Sequence, residues 1–379
     1  MDALFFPDKP EWDVQVMRLA AQAAYGGSDV FECLHTARAI AREGLTESSW
    51  REGWSSLARR LLEEPPAATL GVVAGAASEG ERAARASSYF RTAEFFAPYE
   101  SALRRELYDA SRGAFRKALP SLPVEVDLLE VEVEDEEVSY DGYVFHGRGA
   151  SPEAQSAGVV FLGGADSYAE ELFFFGGLAL AARGITVVVA DTPGRGSTLR
   201  HKGVVSRSDY EVPARRVLDA LAGLDIVDEE RLGVVGLSLG GYYAPRLAAA
   251  DERIKACVCW CACFDVLEDV YLYYPPIQPQ LRWIVGAGSD AEARERLRDF
   301  NLRSAASQIE CPILISHGEA DEIMDPRSPE RLFEAVSSRE KHLKIWTRAE
   351  GGAGHCNYDN WAACVPFMFD WLAARLDGR

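Results

Sequence analysis

The sequence has few basic residues and no long apolar run. Its 40 Lys and Arg stand against 59 Asp and Glu in 379 residues, which gives a formal net charge of −19. A chain this acidic repels nucleic acid and anionic membranes. No segment offers about 18 consecutive apolar residues, and the first residues lack a basic stretch followed by an apolar one. These absences predict a cytoplasmic protein that binds neither nucleic acid nor membranes.

The cysteines lack the paired spacing of a zinc site. Eight are present, and four alternate in one short run at Cys257, Cys259, Cys261 and Cys263. Extended backbone places residues two apart on the same face, so this run predicts small side chains on a buried strand. Metal binding or redox activity is the alternative interpretation. We expect reduced thiols, no bound metal and no cofactor.

Strand-like runs are almost absent between residue 11 and about residue 120. Apolar residues recur there with the helical period, and five predicted helices are separated by caps and stops such as Asp29, Thr46 and the Pro65–Pro66 pair. The sequence therefore predicts an all-helical domain over residues 1–122.

From residue 123 to residue 379, apolar β-branched runs alternate with helical stretches. A predicted antiparallel pair around an acidic turn comes first, followed by strands in GVVFLGG, GITVVVAD, RLGVVGLS, IKACVCWCA, CPILISHG and HLKIW. This alternation predicts an α/β domain with a mostly parallel sheet flanked by helices. The segment from about 265 to 301 is too long and too rich in Pro and Tyr for a simple connection, so we expect an inserted lid.

The motif GLSLGG at residues 236–241 follows a predicted strand directly and precedes a predicted helix. A nucleophile elbow requires this context, because small residues two before and two after Ser238 relieve the crowding of a strained strand-to-helix turn. The Ser hydroxyl is then exposed at the N-terminus of the helix. A glycine-rich turn with an N-cap Ser is the alternative. We predict that Ser238 is a nucleophile.

A Ser nucleophile needs a base. In α/β folds with a nucleophile elbow, this base comes later in the chain than the Ser. Three His residues lie downstream of Ser238. His355 belongs to the glycine-rich stretch GGAGHCNYDNW before the last predicted helix, where an exposed loop His is expected. His317 ends a strand and suits packing, whereas His342 opens a strand at the surface. His355 is therefore the predicted base.

The base needs an orienting acid, and the stretch HGEADEIMDP after a predicted strand offers four carboxylates. Asp321 fits best. Asp325 is the fallback acid, although its position before Pro326 favours a helix cap; Glu319 and Glu322 are the others.

Acyl chemistry also needs two N–H donors for an oxyanion. One should be the backbone N–H of Leu239, directly after the nucleophile. The other should come from the loop GGADS at residues 163–167, where we choose Ala165. Asp166 stands next to it. A charged carboxylate there is costly, so Asp166 either turns away as a loop cap or takes a catalytic or substrate-orienting role.

Aromatic residues are dense in the helical domain and in the insertion. Most suit core packing, but those that line a cleft would select an apolar or aromatic small molecule. Arg91 and Arg195 could hold a substrate carboxylate or phenolate, with surface or loop bracing as the alternative. The candidate substrate contacts are Tyr89, Arg91, Phe95, Tyr242 and Tyr273.

The elbow GLSLGGYYAPRLAA, together with DTPGRGST, SDYEVPARRVLDAL, HGEADEI and GGAGH, resembles the α/β-hydrolase superfamily. The helical stretches RASSYFRTAEFFAP and RRELYDASRGAFRKALP narrow the resemblance. They are similar to the subgroup with a helical N-terminal domain that includes 2,6-dihydropseudooxynicotine hydrolase, the fungal polyketide-shortening hydrolases of pigment pathways, and esterases related to the fermentation-respiration switch protein.

This resemblance implies a triad of Ser238, Asp321 and His355 under a helical cap, and a hydrolase of specialised metabolism. It implies attack on a ketone with C–C cleavage, or on an ester or thioester. In the pseudooxynicotine enzyme the loop corresponding to GGAD carries a Glu needed for C–C cleavage, and Asp166 fills that position here. Acyl transfer or cyclisation, and an inactive ligand receptor, are the alternative functions. The oligomeric state stays open, and a homodimer is one candidate.

Overall fold

A computed structural model describes residues 4–63, 75–133 and 138–377 of the chain. The chain divides into two compact units, Met1–Val126 and Asp127–Arg379. The predicted helix stop at Pro65–Pro66 and the acidic turn between the first two strands lie outside the described residues. No helix in the described ranges is long and apolar enough to cross a lipid bilayer.

The described part of the first unit is built from α-helices. Their bounds are α1 (Pro10–Ala21), α2 (Val30–Glu43), α3 (Glu47–Glu63), α4 (Ala76–Glu94) and α5 (Ala102–Ala118). Side-chain caps start two of them: the Asp29 carboxylate accepts the N–H of Glu32 at 2.9 Å, and Ser101 Oγ accepts the N–H of Arg104 at 3.1 Å. The predicted helical N-terminal region is confirmed.

A cluster of tryptophans forms the centre of this helical unit. The rings of Trp12 and Trp50 lie 4.8 Å apart, and those of Trp50 and Trp54 lie 5.6 Å apart. Trp50 is fully buried and donates its indole N–H to the carbonyl of Thr92 at 2.7 Å. The aromatic residues therefore supply core packing between α1, α3 and α4, as the helical period of the sequence indicates.

An eight-stranded sheet is the framework of the second unit, with strand order β1-β2-β4-β3-β5-β6-β7-β8. The strand bounds are β1 (Val126–Val133), β2 (Val138–Phe145), β3 (Ser156–Leu162), β4 (Ile185–Ala190), β5 (Val227–Leu237), β6 (Ile254–Trp260), β7 (Ile313–Gly318) and β8 (Lys341–Trp346). Strand β2 runs antiparallel to β4, and the strands from β4 to β8 pair in parallel. The predicted α/β fold is confirmed.

Helices connect these strands. Their bounds are α6 (Ala169–Leu172), α7 (Leu178–Ala181), α8 (Gly196–Arg200), α9 (Glu211–Ala222), α10 (Gly240–Ala250), α11 (Gln278–Ile284), α12 (Asp290–Leu297), α13 (Ser328–Ala335) and α14 (Trp361–Leu376). All residues of β3 are buried, which explains the continuous apolar runs of the central strands. Because β3, β5, β7 and β8 are parallel, the loops that follow them emerge at one edge of the sheet.

The long connection between β6 and β7 leaves and returns at one place. Asp265 forms an isolated antiparallel bridge with Asn301, and the N–H of Val266 donates to the carbonyl of Phe300 at 2.9 Å. Between these points lie a π-helical turn and helices α11 and α12. The segment predicted as an insertion is thus closed at its base, while its function as a lid stays a prediction.

The predicted row of four cysteines on one strand face is wrong beyond β6. Cys257 and Cys259 lie in the strand with their sulfurs 4.0 Å apart, but the strand ends at Trp260. Cys261 has a left-handed φ of 67°, which breaks the alternation. The turn lets the backbone of Gly241 approach, where a Cβ would lie 1.9 Å from the Cys261 carbonyl oxygen. All eight cysteines have free thiols.

Candidate active site

Ser238 occupies a tight turn between β5 and α10. Its φ is 57°, a left-handed value that costs a non-glycine residue about 1 to 3 kcal/mol. Glycine is required on both sides: a Cβ on Gly236 would lie 1.9 Å from the carbonyl oxygen of Gly240, and one on Gly240 would lie 2.1 Å from that of Leu162. The turn leaves Ser238 half-buried at the start of α10. The expected elbow geometry is therefore present.

The loop after β8 brings His355 to this serine. Nε2 of His355 lies 2.9 Å from Ser238 Oγ, within hydrogen-bond distance. The Asp359 carboxylate shapes this loop, and it is not among the residues predicted from the sequence. It accepts the backbone N–H groups of Gly352, Ala353 and Gly354 at 2.9, 3.1 and 3.0 Å. The sequence does carry a signal for this role: an acidic residue follows shortly after a glycine-rich run, whose backbone N–H groups need acceptors.

Asp321 follows β7 and orients the ring of His355. Its Oδ2 lies 2.8 Å from His355 Nδ1, and its Oδ1 accepts the N–H groups of Ile323 and Met324, both at 2.9 Å. An ionised carboxylate only accepts hydrogen bonds, so Nδ1 carries the proton and Nε2 accepts from Ser238. The structure thus joins the three predicted residues in one hydrogen-bonded chain.

Electrostatics reinforce this chain. Burial alone would raise the pKa of Asp321, but the charge of His355 and its hydrogen bond outweigh burial and lower that pKa to about 2. Burial of the His355 ring opposes its charged form, yet the Asp321 carboxylate raises the pKa of His355 overall. The pair therefore favours the imidazolium form of His355.

The other candidate acids and bases have different surroundings. The Asp325 carboxylate binds Arg327, with Nη2 2.7 Å away, and this arginine lowers the pKa of Asp325. His317 is fully buried with Nε2 3.4 Å from Asp321 Oδ2, and burial lowers the pKa of His317. The His342 side chain is half-exposed on β8. None of the three contacts Ser238.

The loop at residues 163–167 lies against Ser238. A Cβ on Gly164 would be 3.2 Å from Ser238 Oγ, and the N–H of Gly164 donates to Ser167 Oγ at 3.0 Å. Within the described ranges, the backbone N–H groups of Ala165 and Leu239 donate to no protein acceptor. Asp166 is half-buried in the same loop. Both predicted oxyanion donors therefore remain available to a ligand.

The predicted substrate contacts are not brought together as a group. Tyr242 is fully buried, and its hydroxyl donates to the carbonyl of Ser208. Tyr89 is fully buried among the helices of the first unit. Arg91 is also buried, with its guanidinium carbon 5.4 Å from the half-buried ring of Phe95. Tyr273, in the insertion, is 41% exposed. Burial makes packing roles the better interpretation of Tyr89 and Tyr242.

Thiol, imidazole and carboxylate groups cluster beneath the triad. The Cys261 sulfur, a ring nitrogen of His317 and an Asp321 oxygen lie within 4.8 Å of one another, as do ligand atoms of Cys261, His355 and Cys356. Burial raises the pKa of the Cys261 thiol, which disfavours the thiolate that a metal binds. Asp321 and His355 are also bound to each other. The donor set therefore suits the triad better than a metal ion.

Comparisons with known proteins agree with this geometry. Residues 173–379 match the prolyl oligopeptidase family, and residues 73–272 match the esterase FrsA-like family. The hydrolase acrC of Aspergillus aculeatus is 30% identical over 94% of this chain and 95% of its own length. The 2,6-dihydropseudooxynicotine hydrolase of Paenarthrobacter nicotinovorans is 31% identical over 88% of this chain and 86% of its own length.

The similarity extends to three dimensions. A crystal structure of the 2,6-dihydroxy-pseudo-oxynicotine hydrolase superposes with a TM-score of 0.78 at 27% identity, covering 94% of this chain and 96% of that one. The resemblance to the α/β-hydrolase subgroup with a helical N-terminal region is confirmed, and so is the prediction of a hydrolase.

Proposed function

The chain belongs to the prolyl oligopeptidase family of α/β-hydrolases, and we propose that it is a serine hydrolase that cleaves the C–C bond next to a ketone in a small β-dicarbonyl or vinylogous acid. One observation carries the proposal: the unbroken hydrogen-bonded chain from Ser238 through His355 to Asp321 ends on a half-buried hydroxyl. Similarity over most of the chain to 2,6-dihydropseudooxynicotine hydrolase supports a small-molecule substrate, and we place that substrate in specialised metabolism.

The first chemical step follows from these distances. His355 Nε2 takes the hydroxyl proton of Ser238 while Oγ adds to the ketone carbon. Asp321 stabilises the resulting imidazolium and keeps the ring in place. The N–H groups of Leu239 and Ala165 receive the new oxyanion, and the position of Leu239 at the start of α10 adds the favourable end of the helix dipole.

When the tetrahedral adduct collapses, the C–C bond next to the former ketone carbon breaks and the departing fragment leaves as a delocalised enolate. The enolate takes the proton from the His355 imidazolium, which leaves an acyl group on Ser238. Water then attacks this ester with His355 as base, so that a β-diketone and one water give a carboxylic acid and a ketone. Asp166, in the loop beside Ala165, orients the enol of the substrate during the first cleavage.

Ester hydrolysis is the second candidate, favoured by the match of residues 73–272 to the esterase FrsA-like family. It requires the triad and the oxyanion donors, but it does not require Asp166, because an alkoxide or phenolate leaves readily once it is protonated. Acyl transfer or cyclisation differs only in the nucleophile that accepts the acyl group. An inactive receptor has no need for a complete proton-transfer chain.

A pair of substrates separates the two leading candidates. We expect the wild-type protein to cleave 1-phenylbutane-1,3-dione and to hydrolyse p-nitrophenyl acetate. Asp166→Asn should abolish the first activity and spare the second. Expelling a carbon leaving group requires the orienting carboxylate, whereas p-nitrophenolate leaves without it. Products are identified by liquid chromatography with mass spectrometry.

The matched controls are Ser238→Ala, which should lose both activities, and Glu319→Gln, an acid of the neighbouring loop that should lose neither. Equal loss of both activities in Asp166→Asn would give Asp166 a structural role in the loop. Loss of neither would favour the esterase.

The helical unit, we further propose, shields the reaction from bulk water as a cap. The need of a hydrolase pocket to exclude water supports this role. A chain that begins at residue 123 should be poorly soluble or inactive on the diketone. A well-folded and fully active truncated chain would contradict the proposal.

A further inference from the structure

A buried cation lies against the loop that carries the Ala165 donor. Arg195 directly precedes α8, and its side chain is 3% exposed. Its Nη1 donates to the carbonyl oxygen of Gly164, and its Nε donates to the hydroxyl of Tyr210 at 3.0 Å. The ring of Tyr243 lies 4.5 Å from the guanidinium carbon. Three contacts of different kinds thus hold the guanidinium next to the loop at residues 163–167.

The backbone around Arg195 has little freedom. Gly194 and Gly196 both have positive φ, 81° and 37°. A Cβ on Gly194 would lie 2.6 Å from Ser206 Cβ, and one on Gly196 would lie 1.8 Å from Oδ2 of Asp191. Only glycine fits at both positions, so the turn determines where the arginine side chain begins.

This guanidinium forms no close ion pair in the described part of the chain, although the more distant Asp191 carboxylate still attracts it. No carboxylate oxygen lies within 4.0 Å of it there, and its Nη2 has no hydrogen-bond partner. By contrast, Arg246 is paired with Glu211, with Nη2 2.8 Å from Oε1. An unpaired buried charge is costly. Such a charge is useful where negative charge develops during a reaction.

The contact with Gly164 reaches the reaction centre through one peptide group. The carbonyl of Gly164 and the N–H of Ala165 belong to the same peptide, which is trans and therefore directs them to opposite sides. A charge-assisted hydrogen bond to the oxygen fixes the orientation of this plane and polarises it, which strengthens the N–H as a donor. Gly164 itself lies against Ser238.

We propose that Arg195 is a positioning residue of the oxyanion hole, which orients and polarises the Gly164–Ala165 peptide so that the Ala165 N–H stabilises the anionic intermediate on Ser238. This inference rests on the serine mechanism proposed above. The guanidinium acts through the peptide and need not touch the substrate. Its effect should therefore appear in the transition state and be small in the binding of neutral ligands.

The test compares Arg195→Met with the wild-type protein in two measurements. We expect kcat/KM for p-nitrophenyl acetate to fall on the order of 10- to 100-fold, somewhat less than the loss of a direct donor. The affinity for phenylboronic acid, whose tetrahedral adduct places an oxygen in the oxyanion hole, should fall by the same factor. Arg246→Met, which removes an arginine paired outside the loop, should leave both quantities unchanged.

A fall in kcat/KM without the parallel loss of boronic acid affinity would overturn the inference. So would unchanged values of both quantities. If Arg195→Met does not fold, Arg195→Gln decides by the same two measurements, with a smaller parallel fall expected because the neutral amide can still donate a hydrogen bond although it lacks the charge. Ser238→Ala, assayed alongside, separates the two proposals, since full activity in that variant would contradict the serine mechanism itself.

Discussion

Each unit of the protein contains a series of part-buried hydrogen bonds, and the two series end differently. In the helical unit, Arg85 binds Glu32, Glu32 accepts the Tyr89 hydroxyl at 2.6 Å, and Tyr89 in turn accepts the N–H of Asp29 at 3.0 Å. Backbone therefore terminates that series. In the α/β unit, the series from Asp321 through His355 ends on the half-buried hydroxyl of Ser238.

This difference shows how similar groups serve stability in one unit and chemistry in the other. A hydrogen-bond chain closed on backbone stabilises the fold, because every polar atom keeps its partner. A chain that ends on an accessible hydroxyl can move a proton to a bound ligand. Substitutions in the hydrogen-bond series of the α/β unit should therefore change turnover, whereas those in the series of the helical unit should change stability.

The largest effect is expected at the open end of the catalytic chain. Ser238→Ala and His355→Ala should each lower kcat by a factor on the order of 10³ or more, because triad residues act as a unit. His342→Ala, at a half-exposed histidine on β8, is the control and should retain wild-type turnover. Near-normal kcat in Ser238→Ala would end the covalent mechanism.

The acid comes next. Asp321→Asn should lower kcat somewhat less than loss of the nucleophile does, because Ser238 and the oxyanion donors remain while the Asn amide no longer holds the Nδ1–H tautomer of His355. Asp325→Asn loses contacts with Arg327 and should change turnover little. Steady-state kinetics of the two variants decide the assignment, and a far larger loss in Asp325→Asn would make Asp325 the acid.

The pH profile tests the same pair by a smaller effect. The base must be neutral, and Asp321 raises the pKa of His355 above its ordinary value of 6.5. We therefore expect kcat/KM to rise with pH, with a midpoint above 6.5. The residual activity of Asp321→Asn should show a lower midpoint. An identical midpoint in both proteins would mean that the carboxylate does not act on the His355 proton.

The smallest effect on turnover is expected in the helical unit. Tyr89→Phe removes a hydroxyl that both donates and accepts, and should destabilise the protein by about 1 to 3 kcal/mol. Its kcat and KM should stay unchanged, since the side chain is fully buried. Thermal unfolding and steady-state kinetics provide the readouts. A raised KM at unchanged stability would instead make Tyr89 a substrate contact.

Local sequence rules predicted the fold and the positions of the key loops. The elbow was predictable because the demand for small residues at Gly236 and Gly240 arises within five residues of one turn. The strands were predictable because both faces of the parallel sheet are buried, which makes each strand a continuous apolar run.

Contacts distant in sequence were not predictable in the same way. Arg195 reaches Gly164 across 31 positions, and Tyr89 reaches Glu32 across 57, so no local pattern reveals either bond. The left-handed turn at Cys261 breaks a strand period that the sequence continues to show. Aromatic density likewise does not distinguish a ligand-lined surface from a core.

Trapping the acyl group on Ser238 tests the central claim most directly. The protein is mixed with p-nitrophenyl acetate, quenched in acid within milliseconds, digested and analysed by mass spectrometry. We predict an acetyl group on the peptide that contains Ser238, formed faster than turnover, and no such adduct in Ser238→Ala. Turnover without any adduct on this peptide, or the same adduct formed at equal rate on another residue in Ser238→Ala, would contradict the assignment of Ser238 as the nucleophile.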